Sequence, residues 1–212
     1  MSEKVGDSRE KGVENYLEEK YGKDFVIERV AFGYFWYYMK DEPQYHYKGV
    51  LGNKDNDGEF YKEYSDAFYY RRALRICSDY ATNILKEKNI NGFVYIINVS
   101  TNFENINFDT SVEKLLSDKS LEEVEMYICL PEKTGDNDYE NIINFIYEDF
   151  SKYNSEIETI NAIYIFSDED FPKVEKYFKE SGDPNDSELG SNFTIISEKV
   201  ICIKNNIINI IK

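Results

Sequence analysis

Histidine is almost missing from this sequence: His46 is the only one. A Ser-His-Asp or Cys-His catalytic constellation must therefore use His46 or do without a histidine. It sits in Tyr45-His46-Tyr47, alternating in an expected strand, where a structural or surface imidazole is the default. Cysteine is nearly as scarce. Cys77, Cys129 and Cys202 are widely spaced inside apolar patterns, and no two stand in a CxxC or metal-like spacing. They read as small buried hydrophobes, not as a disulfide framework, a nucleophile or zinc ligands. No stretch approaches the roughly 20 apolar residues that span a bilayer, and there is no signal-peptide pattern. P-loop, GxGxxG, GxSxG and HExxH motifs are absent. No catalytic residue, no metal ligand and no cofactor is assigned from the sequence.

Basic residues are also short in one half. Residues 1–100 carry 17 Asp and Glu against 15 Lys and Arg, whereas residues 101–212 carry 24 against 10. Nearly all of the net charge of −16 thus lies in the second half. Such a field repels nucleic acid and anionic membranes and favours basic protein surfaces or cations. The expected partner is a protein or peptide, with a basic surface favoured and nucleic acid excluded. The oligomeric state is not legible.

Aromatic residues, by contrast, are abundant, at 16% of the chain. With 42% hydrophobic content this is the composition of a folded protein. Residues 1–10 read as a disordered tether. Val13, Tyr16, Leu17 and Tyr21 form one stripe of a helix over about 11–21, stopped by Gly22. Phe25 to Met39 reads as a long strand or two, Tyr45 to Leu51 as another, and Phe60 to Tyr64 as the last of an antiparallel meander. A helix over about 67–88 and a strand over Phe93–Val99 follow. Beyond residue 100, helices (111–119, 138–153, 169–180) alternate with strands (Val124–Leu130, Ile160–Phe166), ending in two or three strands with turns near Glu198-Lys199 and Asn205-Asn206. Residues 181–191 read as a loop. The fold class is α+β: an N-terminal helix on an antiparallel aromatic meander, then alternating helices and strands in a mixed sheet. The expected parts are 1–10, 11–100 and 101–212, the last two able to share one core.

The acidic clusters have structural explanations. Thr110 with Glu113 and Asn137 with Glu140 are spaced as capping boxes, and Ser167 with Asp170 as a shorter version. Asn53-Lys54-Asp55-Asn56-Asp57-Gly58 opens like a calcium-binding EF-hand loop, but Tyr64 stands where the bidentate Glu belongs, so a hairpin turn at Asp57-Gly58 explains it better. Asp183, Asp186 and Glu188 read as a solvated loop. Among 41 acids some close pair is inevitable, so carboxylate pairing alone carries little information.

The positive signal is the segment 32–70, with nine of the 19 tyrosines and also Phe32, Phe35, Trp36, Phe60 and Phe68. Strand alternation through Phe32–Tyr38 sends aromatics to both sheet faces. One face packs on helices. The other is either buried at a domain interface or exposed as a platform for peptides or sugars. The candidate platform is Tyr34, Trp36, Tyr38, Tyr45 and Tyr47, with Arg71 and Arg72 beside it. Those arginines, with Arg75, are ill placed for the dipole of their own helix start and need a partner.

The opening Tyr16-Leu17-Glu18-Glu19-Lys20-Tyr21-Gly22-Lys23-Asp24-Phe25-Val26-Ile27, with Asp57-Gly58-Glu59-Phe60-Tyr61, resembles uncharacterised membrane-anchored lipoproteins of Gram-positive bacteria over residues 11–90. The lipobox cysteine of that class is absent from the chain, and no functional residue carries over. The resemblance implies an extracytoplasmic, lipid-tethered protein that acts by binding and is not an enzyme. The alternative is a cytoplasmic immunity-type inhibitor whose acidic half covers a basic toxin. A carboxylate-dependent hydrolase is the third reading.

Overall fold

The computed structural model describes residues 3–51, 67–100, 106–134, 139–180, 186–204 and 207–210. Asn53–Gly58, the expected strand Phe60–Tyr64, Asn137 and Asp183 lie outside them. The chain forms two compact units: residues 1–68 with 177–184, and residues 69–176 with 185–212. The boundary therefore falls at Phe68 and not near residue 100. Its physical reason is strand pairing, because residues 93–100 pair with residues 123–129.

In the first unit, helix α1 (Glu3–Tyr21) precedes an antiparallel sheet in the order β1 (Phe25–Ala31), β2 (Tyr34–Met39), β3 (Tyr47–Val50). The helix begins at Glu3, so the segment expected to be a disordered tether forms its first turns; Glu, Lys and Arg there are good helix formers. Gly22 ends α1 as expected, at φ 64° with its N–H donating to the carbonyl of Glu18. Val13 and Leu17 of α1 are buried, as are Phe25, Phe35, Tyr37, Met39, Tyr47 and Phe68. Phe68 touches Tyr21, Phe25, Tyr37 and Tyr47 at centroid separations of 4.9, 5.3, 6.3 and 5.1 Å, in tilted or edge contacts. Gly49 lies opposite Phe35, where a Cβ would fall 2.1 Å from the Phe35 Cζ. Only glycine leaves room for that ring in so tight a cluster.

The second unit holds α2 (Phe68–Glu87), which starts at the boundary, and a five-stranded sheet in sequential order: β4 (Phe93–Ser100), β5 (Glu123–Pro131), β6 (Glu158–Phe166), β7 (Ile195–Lys204) and β8 (Ile207–Ile210). Helices α3 (Val112–Leu116), α4 (Tyr139–Ser151), α5 (Phe171–Glu180) and α6 (Asp186–Asn192) connect the strands, the last four residues of α5 being counted with the first unit. Among the described strands only β5 and β6 are parallel, joined through α4. A mixed sheet with an α4 crossover gives the α+β class expected. Two local expectations fail. The stretch 181–191, read as a loop, contains α6, and β7 runs unbroken through Glu198-Lys199, where a turn was expected. Register against β6 holds those two residues in the sheet, opposite Tyr164 and Ile163.

One core of this unit gathers Leu74, Ala81 and Leu85 of α2, Ile96 of β4, Met126 and Ile128 of β5, Ile142, Ile146 and Phe150 of α4, and Ile201 and Ile203 of β7. The α2 helix also closes the outer edge of β4. The amides of Val94, Ile96 and Val99 donate to Thr82 Oγ1 (2.9 Å), Ser78 Oγ (2.8 Å) and the Tyr70 hydroxyl (3.3 Å). An edge strand must otherwise leave such groups to water or to another chain. Ser78 is buried and its own hydroxyl donates to the Leu74 carbonyl. Ser78→Ala strands the Ile96 amide and is expected to destabilise the protein by ~1–3 kcal/mol, read from urea unfolding, while Ser120→Ala on an exposed turn leaves it unchanged.

Candidate functional site

Alternation divides the rings of β2. Phe35, Tyr37 and Met39 point into the core with Phe25 and Tyr47, while Tyr34, Trp36 and Tyr38 occupy the opposite face. Tyr34 is 39% exposed, and Trp36 and Tyr38 are half-buried. Cross-strand pairing brings Val26 beside Tyr38, Arg29 and Lys48 beside Trp36, and Ala31 and Val50 beside Tyr34. A β-bulge between Ile27 and Arg29 inserts Glu28 as an extra residue. It delivers Glu28 and Arg29, neighbours in sequence, to the same face.

The result is a strip of rings interleaved with cations. The Arg29 guanidinium lies 3.8 Å from the Trp36 ring centroid. The Lys48 ammonium lies 4.4 Å from that of Tyr34 and 5.8 Å from that of Trp36. Tyr34 and Trp36 are 6.2 Å apart. At the far end Tyr38 is 5.5 Å from His46, whose Nδ1–H donates to Glu28 Oε2 at 2.7 Å. Each stacked cation contributes ~0.5–1 kcal/mol at an exposed site.

The strip ends at a hairpin tip of unusual composition. Phe32 and Gly33 form the two-residue loop between β1 and β2, with φ of 52° and 81°. Positive φ at both positions suits the right-handed twist of the strands, but the favoured residues are Asn, Asp and Gly. Phenylalanine in that conformation is strained. Phe32 is also 96% exposed, beside Tyr34 and the 47%-exposed Val50.

Of the residues singled out from the sequence, Tyr34, Trp36 and Tyr38 lie together on this face. Tyr47 does not, because its place in the β3 register turns it into the core, where it is fully buried. Tyr45 is half-buried in the connection before β3. Arg71 and Arg72 belong to the second unit. Arg72 donates to the Phe108 carbonyl (3.4 Å) and stacks on that ring, and the buried Arg75 stacks on Tyr95 at 4.2 Å. For Arg72 and Arg75 these contacts are the partners their position called for. Arg29, Lys48, Glu28 and Phe32 were missed. The Phe32-Gly33 dipeptide was the signal for a hairpin loop, and pairing the strands outward from it brings Ala31 opposite Tyr34. The bulge that selects Arg29 leaves no such mark.

Two grooves of the second unit offer the titratable clusters an enzyme would need. One, of about 350 Å³, lies between α2 and α4. There the Tyr80 hydroxyl donates to Asp149 and lies 3.3 Å from that of Tyr153, and Lys152 also pairs with Asp149. Burial, then the Asp149 hydrogen bond, pushes the Tyr80 hydroxyl well above its ordinary pKa. Burial would raise Asp149 as well, but hydrogen bonds from Lys152 and Tyr80 and the charges of Lys152 and Lys88 outweigh it and hold the carboxyl below its usual range. The tyrosine hydroxyl is thus held protonated and the carboxylate ionised.

The other groove, of about 540 Å³, is lined by Glu123, Glu158 and Lys204. Lys204 Nζ lies 2.6 Å from Glu158 Oε2, and the Cys202 thiol donates to Oε1 at 3.0 Å. These contacts hold Glu158 low. Glu123 is raised by burial and then by Glu125 and Glu158, and burial followed by Glu158 pushes Cys202 up to about 11, leaving little thiolate at neutral pH. The cluster sits at the amino ends of the parallel strands β5 and β6, whereas ligands of parallel sheets bind at the carboxyl ends. That carboxyl end is tied down by Lys133 and Asp168 at 2.9 Å. Among the described residues no three His, Cys, Asp or Glu side chains converge as a metal site. No described helix is long and apolar enough to cross a membrane.

Of the expected caps, Ser167 with Asp170 forms as read, that of α3 moves by one residue, and Asn137 lies outside the described residues. The cap of α3 is Ser111, whose Oγ accepts from the Lys114 amide, while the buried Thr110 bonds to Asn107. Ser167 accepts from the Asp170 amide.

No protein-family model matches the sequence, and no curated protein matches it. The fold is similar to that of a solved DUF5037 family protein from Ruminococcus gnavus, with a TM-score of 0.51 and 15% identity over 90% of each chain. At that identity the likeness is one of fold.

The strain at the tip has a measurable consequence. Phe32→Asn is expected to stabilise the protein by ~1 kcal/mol in urea unfolding, with unchanged circular dichroism, because asparagine accepts the left-handed conformation and no buried contact is lost.

Proposed function

We propose that this chain is a non-catalytic binding protein whose ligand site is the aromatic–cationic strip of the first unit, with Phe32 as its anchor. The observation that carries this reading is Phe32 itself: a large apolar residue held at positive φ and 96% exposed. It costs stability through its backbone and gains no burial, and such strain concentrates where a residue serves binding. The chemistry of the strip selects the ligand. Rings with stacked cations suit a polypeptide that offers an aromatic or aliphatic side chain next to a carboxylate. The chain's net charge of −16 disfavours polyanions, so that carboxylate is an isolated one.

The likeness of residues 11–90 to membrane-anchored lipoproteins supports an extracytoplasmic, lipid-tethered setting for this binding. The acidic second half favours a basic region on the same partner, which is also what an inhibitor of a basic toxin would use. The mutual hydrogen bonding of Tyr80 and Asp149 in the groove between α2 and α4 favours binding over carboxylate-dependent hydrolysis there.

Selection from a random-peptide display library tests the reading, because the emission of Trp36, the only tryptophan, reports occupancy of the strip. Selected peptides are expected to pair one acidic residue with an aromatic or aliphatic one. Phe32→Asn and Arg29→Ala should each weaken them at least about tenfold, equivalent to ~1.4 kcal/mol, while Lys114→Ala changes nothing. Peptides that bind the Phe32→Asn and Arg29→Ala proteins as tightly as the unaltered chain would refute it.

A further inference from the structure

The two edges of the five-stranded sheet are treated in opposite ways. The outer edge of β4 is closed by three hydroxyls of α2 and interrupted by a bulge between Ile96 and Asn98. The edge strand β8 pairs with β7 on one side and carries no charge, proline or bulge among Ile207–Ile210. Lysines, prolines and bulges are the devices that keep sheet edges from pairing with other chains. In β8, Ile207, Ile208 and Ile210 are instead 62%, 37% and 64% exposed.

Register shows what this edge continues. Ile208 lies opposite Ile203 and Ile210 opposite Ile201. Directly opposed residues of an antiparallel pair share a face, and Ile201 and Ile203 are buried in the core of the unit. The apolar face of the sheet therefore runs out to β8, the last strand of the sheet among the described residues, where Ile208 and Ile210 stay exposed.

We infer that β8 is a homodimer seam, at which two copies of the chain pair β8 antiparallel to β8 and join their sheets into one of ten strands. The sequence of the edge is self-complementary: Ile207-Ile208-Asn209-Ile210-Ile211 reads the same in both directions. An antiparallel pair centred on Asn209 opposes Ile208 of each copy to Ile210 of the other, extending both cores across the axis. Asn209 meets its own counterpart, and an amide both donates and accepts. Charge favours the same seam. Residues 195–212 contain one acid, Glu198, against Lys199, Lys204 and Lys212, in a chain of net −16. The edge segment thus carries little of the negative charge that makes copies of this chain repel one another elsewhere. The seam is short, and its area falls below the ~1,200–2,000 Å² of standard stable interfaces, so the dimer is a weak, concentration-dependent one.

Sedimentation equilibrium of the full chain over roughly a thousandfold concentration range tests this. A monomer–dimer equilibrium is expected, and Ile208→Lys, an exposed substitution, should shift dissociation at least tenfold with unchanged circular dichroism. Register is tested separately in a Cys202→Ser background: mixed Ile208→Cys and Ile210→Cys chains should cross-link under oxidation faster than either chain alone. A chain monomeric at every concentration, or a dimer that tolerates Ile208→Lys, would overturn the inference. So would equal cross-linking of the mixed and single samples. If the chain stays monomeric yet the edge captures an extended peptide, the seam belongs to another protein and the homodimer is excluded.

Discussion

Strand β2 carries an aromatic ring at five successive positions, Tyr34 to Tyr38, and a strand has two faces. One helix of the first unit can bury only one of them. Phe35 and Tyr37 take the buried side with Met39, under α1 and around Phe68, and packing them leaves Tyr34, Trp36 and Tyr38 no place in that core. Everything proposed about the outer face follows from this division. Cations from the neighbouring strands stack on the outward rings, which lets the strip persist without collapsing into a core of its own.

The second unit shows how differently the same chain treats polar groups that serve only the fold. Asp149, Glu158, Asp168 and Asp170 pair with lysines. Tyr80, Asp149 and Lys152 satisfy one another between helices, as Glu158, Cys202 and Lys204 do between strands. The hydroxyls of Tyr70, Ser78 and Thr82 occupy the donors of an edge strand. The hairpin tip differs: there an aromatic residue stands in water on a strained backbone.

Much of the fold was legible. Helical periodicity in Ala73–Leu85 and Tyr139–Phe150, alternation in the aromatic strand and Gly22 as a stop all translate directly into the elements formed. The unit boundary was not, since chain order places β4 after the meander while its hydrogen bonds go to β5. Short α6 was hidden in a run of Asp, Pro, Gly and Ser that reads as loop. For the site, alternation alone identified Tyr34, Trp36 and Tyr38. It misassigned Tyr47 because the connection between β2 and β3 sets the β3 register, and a slip of one residue exchanges the faces. Arg29 was out of reach for the same kind of reason, since only the bulge turns it onto Trp36.

The division of β2 into a face that holds the fold and a face free for a ligand is the central claim, and stability tests it directly. Urea unfolding of Trp36→Thr and Tyr37→Thr, adjacent and similar in size before substitution, compares the two faces at constant strand propensity. The account predicts a loss of ~1–2 kcal/mol for Trp36→Thr, from its stacked cation and partial burial, against ~3–5 kcal/mol for Tyr37→Thr. Equal losses would mean that the outer row is as much a part of the core as the inner one, and the strip would no longer be a surface available to a partner.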